Sequence, residues 1–209
     1  MKKAKLGYTY TQIIYMFLVI GFLGFVLENI FRAFTVGVLD SRHMLLPFQF
    51  FYGAGVLIIR YAIGTPCRPR FFHKQSEPAE NKKQCALRVV LWFLFVFFVL
   101  SVGEIIVGEI GEKCFGVHIW DYSDIPLHVT QYTSVPTSLA LSALLTFFMG
   151  VLFEPIMRLL AKIRGKTAAV LGSVLAAAVV VDQIVAVVYC AVTGNLPVYW
   201  SISFPPLIG

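Results

Sequence analysis

The sequence predicts an all-α fold: a polytopic membrane bundle of five transmembrane helices in a single domain, 1–209. Three observations predict it. Hydrophobic residues make up 58% of the chain and charged residues only 13%, with a mean hydropathy of +0.81. A soluble domain is about a quarter charged, and half that charge cannot solvate a surface of this size. Next, five segments are long and apolar enough to cross a bilayer core of about 30 Å, which takes roughly 20 helical residues. Finally, the cations gather in alternate loops. A soluble enzyme, a disordered tail and a nucleic-acid-binding domain are excluded by the same composition, despite the net charge of +6.

Span one covers about 12–34. It is too long for a cleaved leader, no A-x-A-like site follows it, and Glu28 and Arg32 lie inside it. Span two covers about 45–63, with Pro47 in its first turn, where a missing N–H is tolerated. Span three, about 89–111, contains the dense apolar run 91–98. Span four, about 136–157, opens on Pro136, and span five, about 167–192, is rich in Ala, Gly and Val.

With the N-terminus in the cytoplasm, Lys2, Lys3 and Lys5 lie inside. The loop 64–88 and its flanks add Arg60, Arg68, Arg70, Lys74, Lys82, Lys83 and Arg88, and the turn before span five adds Arg158, Lys162, Arg164 and Lys166. Only Arg32, Arg42 and Lys113 remain for the other half. Positive residues favour the cytoplasmic side, so the pattern predicts N-terminus in and C-terminus out. Topology and attraction to anionic lipid heads account for the basic balance without a nucleic-acid partner. The loop 64–88 has no apolar period of its own and reads as a flexible connector.

No phosphate-binding loop, HExxH or GxSxG motif is present. Cys67, Cys85, Cys114 and Cys190 form no CxxC pair, and no histidine stands at ligand spacing from them. The sequence therefore indicates no metal site and no cofactor. A disulfide between Cys114 and Cys190 requires both to face outside.

Ionisable residues at membrane depth are costly and usually face a protein interior. At about 1.5 Å per residue, Glu28 lies roughly 24 Å along span one, and Glu104 and Asp182 roughly 22 Å along spans three and five. Tyr52 falls at a similar level, with Gln49 one turn further out and Ser142 close to the same layer. Three carboxylates from three helices are thus expected to converge in the outer third of the bilayer. Arg32, four residues after Glu28, and Arg42 are the candidate counter-ions. The outer half holds eight acids (Glu28, Asp40, Glu104, Glu109, Glu112, Asp121, Asp124 and Asp182) against three cations. Such a layer can bind a cation, a proton or a polar headgroup, or it can simply fix helix packing. Glu109 and Glu112 are expected to be hydrated, and Glu154 to pair with Arg158 one turn later. Gly103, Gly108 and Gly111 are expected to let another helix approach closely.

The outer loop, 112–135, carries Trp120, Asp121, Tyr122 and Ser123. Tryptophan and tyrosine favour the membrane interface, and Asp121 can cap a following turn. Four patches together resemble a family of small bacterial membrane proteins described as ABC-transporter permeases of type IV (CmpB-like). They are Gly24 to Glu28; Arg42 followed by Phe51-Tyr52-Gly53-Ala54-Gly55; Glu104 and Glu112; and Trp120-Asp121-Tyr122-Ser123. The chain departs from the family pattern at Phe25, at Leu46-Pro47-Phe48 and in the stretch 127–131. The resemblance implies a permease-like transport component of the bacterial cytoplasmic membrane, working with a separate ATPase subunit or further copies of itself. The expected binding residues are Glu28, Arg32, Arg42, Gln49, Tyr52, Glu104, Trp120, Asp121, Tyr122 and Asp182, with the Trp120 loop as an outer gate. Alternatives are an enzyme acting on a lipid or lipid-linked substrate, and a non-catalytic subunit or sensor.

Overall fold

The structure is a computed structural model that describes residues 7–71, 74–77 and 79–205. Lys2, Lys3 and Lys5 lie outside the described residues. The chain is all-helical apart from short paired strands, and it divides into two compact units. One comprises 1–58 and 156–209, the other 59–155.

In the first unit, α1 (Tyr10–Thr35) starts on a capping box. Gln12 N–H donates to Thr9 Oγ1 at 3.3 Å, and Thr9 N–H to Gln12 Oε1 at 2.8 Å. The exchange satisfies main-chain donors that a helix start leaves open. The strand β1 (Val38–Asp40) follows, then α2 (Phe50–Ala62), which runs on into the second unit. The first unit closes with α6 (Lys166–Thr193) and the strand β7 (Ser201–Ser203), which pairs antiparallel with β1. The core lies between α1 and α6, where Ile14, Leu18 and Val179 are buried against Phe17, Phe48, Phe50 and Ala176. Gly172 on α6 makes the approach close: a Cβ there would stand 2.8 Å from the Tyr15 ring.

The second unit holds α3 (Lys82–Phe115) and the antiparallel strands β2 (Gly64–Thr65), β3 (Arg68–Phe71) and β4 (Lys74–Gln75). It also holds the paired strands β5 (His128–Thr130) and β6 (Thr133–Ser134), and α4 (Val135–Phe147). A π-helical turn, Phe148–Leu152, joins α4 to α5 (Phe153–Leu160). Ser134 caps α4 by accepting from Thr137 N–H, with proline in the first turn. Gly116, at φ 67°, ends α3 in the left-handed conformation that suits glycine.

Four helical stretches are long and apolar enough to cross a membrane: Tyr10–Thr35, Lys82–Phe115, Val135–Leu160 and Lys166–Thr193. The expected second span is different. Only thirteen residues of it are helical, about 20 Å at 1.5 Å per residue, so this helix alone falls short of the bilayer core. The stretch 45–49 is not helical because three of its main-chain donors have tertiary partners and that of Phe48 turns back locally to Leu46 O at 2.7 Å. Leu45 and Leu46 N–H donate to the two oxygens of Asp182, at 3.1 and 2.8 Å, and Gln49 N–H donates to Gly21 O at 2.8 Å. Pro47 has no N–H to place. Non-helical backbone at membrane depth survives only with such partners.

Other boundaries also move. The helix α3 begins seven residues earlier than expected, because Asn81 Oδ1 caps it by accepting from Gln84 N–H at 2.8 Å. The connector 64–88 is therefore not structureless. It carries three strands and the first turns of α3, built on backbone pairings that leave no mark in hydropathy. Cys114 and Cys190 are free thiols, so no disulfide joins them. Gly108 and Gly111 receive not another helix but the outer loop, through the Tyr132 ring and Ile119 respectively, and a Cβ on Gly103 would meet no described residue within 4 Å. Glu154 meets Arg60 Nη2 at 3.4 Å, and the Arg60 guanidinium lies over the Phe153 ring at 5.6 Å. The expected Glu154–Arg158 pairing is thus replaced by a contact between helices, one that helical spacing alone could not indicate.

Candidate functional site

The first unit holds a charged cluster at the end of α1. Arg42 Nε donates to Glu28 Oε2 at 2.6 Å, and Arg42 Nη1 lies 3.6 Å from Asp40 Oδ1. Arg32 Nη2 reaches Asp40 Oδ2 at 3.1 Å. Two acids and two arginines balance. Of the two candidate counter-ions, Arg42 is the one that meets Glu28: the loop after α1 folds back and delivers Arg42 to Glu28 and Asp40 to Arg32. Asp40 is buried, and its N–H donates to Asn29 Oδ1 at 2.8 Å.

The loop conformation that does this is strained. Arg42 has φ 50° and His43 φ 65°, two successive non-glycine residues in the left-handed region. Arg42 N–H donates to Asp40 Oδ1 at 2.8 Å, and Gln49 Nε2 donates to Arg42 O at 3.1 Å, which holds the turn. His43 Nδ1 lies 3.0 Å from Pro197 O. Burial pulls the His43 pKa below its ordinary value, against an upward pull from that carbonyl, so the ring favours its neutral form. The pairing of Asp40 with Ser201 in the β1–β7 ribbon ties the cluster to the end of the chain.

Asp182 and Tyr52 belong to the same unit in other roles. Asp182 is buried and uses both oxygens on Leu45 and Leu46 N–H. It is answered by main chain instead of by the expected arginine. The Tyr52 ring lies directly over Gly24, where any Cβ would collide with it.

The second unit answers its acid differently. Glu104 Oε2 accepts from Thr133 Oγ1 at 2.7 Å and from Ser138 Oγ at 2.8 Å, and the two hydroxyl oxygens are themselves 2.9 Å apart. Thr133 and Ser138 are buried. One turn beyond Ser138, Ser142 is fully buried, and its Oγ has no hydrogen-bond partner among the described residues. Further along α3, Glu109 pairs with Lys113. Glu112 is not simply hydrated: it accepts from the Tyr132 hydroxyl and from Gln131 Nε2 at 3.0 Å.

Tyr132 organises the outer loop. It is fully buried over Gly108, and its carbonyl accepts from Trp120 Nε1 at 2.8 Å. Burial and the Glu112 carboxylate push its phenol up to about 12. Tyr122 N–H donates to Gln131 O at 2.8 Å. Asp121 is exposed and caps its own turn by accepting from Ser123 N–H at 2.8 Å; the Ser123 hydroxyl, and after it that N–H, hold its carboxyl below the ordinary carboxylate range.

The structure therefore gathers Glu28, Arg32, Arg42 and Gln49, holds Asp182 and Tyr52 in the same unit through Leu45, Leu46 and Gly24, and places Glu104 and the Trp120–Tyr122 loop in the second. Sequence reasoning missed Asn29, Thr133, Ser138 and Tyr132. Asn29, a polar residue beside Glu28 in an apolar span, carried a readable signal; the others precede or open α4 and look like ordinary cap residues. Among the described residues, no group of three or more His, Cys, Asp or Glu is placed to hold a metal ion.

The profile of the family described as Putative ABC-transporter type IV matches residues 15–187. No curated protein matches the chain, and no solved structure does.

Proposed function

Since this chain belongs to the ABC-transporter type IV family and is a multi-pass membrane protein of the transport class, we propose that it is a permease-like subunit whose Glu104 site binds a proton or small cation. One observation carries the reading. Among the described residues, Glu28 and Asp40 have arginine partners and Asp182 has main-chain N–H donors, whereas Glu104 has the hydroxyls of Thr133 and Ser138, which can accept a hydrogen as well as donate one. A carboxylate without a cation at membrane depth needs its charge neutralised.

Hydrogen counting favours the proton. Glu104 Oε2, Thr133 Oγ1 and Ser138 Oγ make three mutual contacts of 2.7–2.9 Å. The two hydroxyls carry two hydrogens between them. A proton on Glu104 Oε2 supplies the third and closes the ring, with one of the two hydroxyls turning to accept from the carboxyl and donate to the other hydroxyl. A metal cation would instead need the three oxygens to spread apart around it.

The Arg42 cluster, Asp182 and Tyr52 hold the outer end of the first unit in shape, and the Trp120–Asp121–Tyr122 loop covers the outer end of the second as a gate. Energy comes from a separate ATPase subunit, and membrane lipid and further copies of the chain complete the path. The test uses the purified chain in proteoliposomes loaded with a pH-sensitive dye. Proton flux that is present in the natural chain and absent in Glu104→Gln, with folding intact, supports the reading. Equal flux in both, or none in either with the ATPase partner supplied, ends it.

A further inference from the structure

We propose that Cys67 and Cys85 form a redox-modification site, a thiol pair that closes into a reversible disulfide on meeting a small disulfide such as oxidised glutathione. The two sulfurs are 2.8 Å apart. Each is set by backbone that is itself fixed. Cys67 lies in the turn between β2 and β3, held by the pairing of Thr65 with Arg68. Cys85 lies in the first turn of α3, where its N–H donates to Asn81 O at 3.1 Å. Closing the bond, at about 2.05 Å, asks the sulfurs to move by under an ångström. The exposed Cys67 and half-buried Cys85 give a small reagent access.

A metal between the sulfurs fits less well. Two metal–sulfur bonds of about 2.3 Å at a tetrahedral centre would hold the sulfurs about 3.8 Å apart. Among the described residues no further ligand group completes such a site. The contact with Cys85 pushes the Cys67 thiol up to about 11, while Arg88 pulls it the other way.

In the reaction one cysteine thiolate attacks the small disulfide, whose S–S bond breaks and releases one small thiol. The second cysteine then attacks the mixed disulfide and expels the other small thiol. Two thiol hydrogens pass from the pair to the two products, so the pair is oxidised and the small disulfide reduced. The bond would fasten the β2–β3 turn to the start of α3. Positive residues mark this loop as cytoplasmic, and disulfides in that compartment are transient and regulatory.

The test treats the reduced, purified full chain in detergent with oxidised glutathione and digests it without reductant. The expected product is a cross-link between the Cys67 and Cys85 peptides, lost on adding dithiothreitol and absent from Cys67→Ser and Cys85→Ser. Each single variant should instead keep a stable glutathione adduct on its remaining cysteine. Stable adducts on Cys67 and Cys85 in the natural chain, or a cross-link formed only after denaturation, would overturn the proposal. Proton flux is not part of the readout, so failure here leaves the Glu104 reading untouched.

Discussion

Glu28 and Asp40 in the first unit and Glu104 in the second are answered in opposite ways. In the first, Glu28 and Asp40 are neutralised by Arg42 and Arg32, and the loop bends into strained left-handed backbone to deliver the guanidinium. In the second, Glu104 sits among hydroxyls. A closed ion-pair cluster has little left to offer a ligand. A carboxyl ringed by neutral donors can take up and give back a proton without breaking the fold. On the reading proposed above, the difference separates a structural use of charge from one fit for transport.

The sharpest way to break this comparison is to remove the guanidinium. Arg42→Gln leaves Glu28 and Asp40 short of positive charge and should cost about 3 kcal/mol, the scale for stripping one partner from a buried pair. Thermal unfolding in detergent, followed by circular dichroism, measures it. A loss no larger than that of Glu104→Gln would erase the contrast between the units.

Next in size is a contrast within α3. Gly108→Ala drives a methyl group into the Tyr132 ring and should cost about 2 kcal/mol by overpacking. Gly103→Ala meets open space and should be neutral or stabilising by up to about 1 kcal/mol, since alanine favours helix. Equal destabilisation by both, in the same unfolding assay, would show that Tyr132 does not seat on Gly108.

Glu104→Gln should be mild in stability, under about 1 kcal/mol, because the amide keeps an acceptor for the hydroxyls. Its effect belongs in flux. A variant as unstable as Arg42→Gln would place Glu104 with the structural acids.

The smallest effect is one of pH. The Tyr132 phenol is raised to about 12 in the fold, against about 10 when unfolded. A raised value means the folded chain holds the proton more tightly. The resulting stability is complete below about pH 10 and is lost as pH rises toward 12. Unfolding midpoints across that window should fall more steeply in the natural chain than in Tyr132→Phe. Identical slopes would place the phenol outside the Glu112 bond.

Much of the fold was legible because hydropathy is a local property. The four long helices lie close to their expected positions, since any stretch of about 20 apolar residues must bury its own backbone polarity in a helix. The second span misled because hydropathy counts side chains, while the helix start was decided by Asp182 binding the N–H groups of Leu45 and Leu46 from 137 and 136 residues away. The connector 64–88 misled for the same reason. Of the site, the acids and Arg42 were visible as charges out of place, but Thr133 and Ser138 were not, because hydroxyls near a helix start are commonplace.

By itself the sequence determined that this chain lives in a membrane, where its four long apolar helices lie, and which ionisable residues are too costly there to be idle. The tertiary structure alone decided who answers whom: Arg42 goes to Glu28, Arg32 to Asp40, main chain to Asp182, and hydroxyls to Glu104. Burying a charge is a demand that any single residue announces, whereas meeting the demand takes a partner that only the folded chain brings within reach.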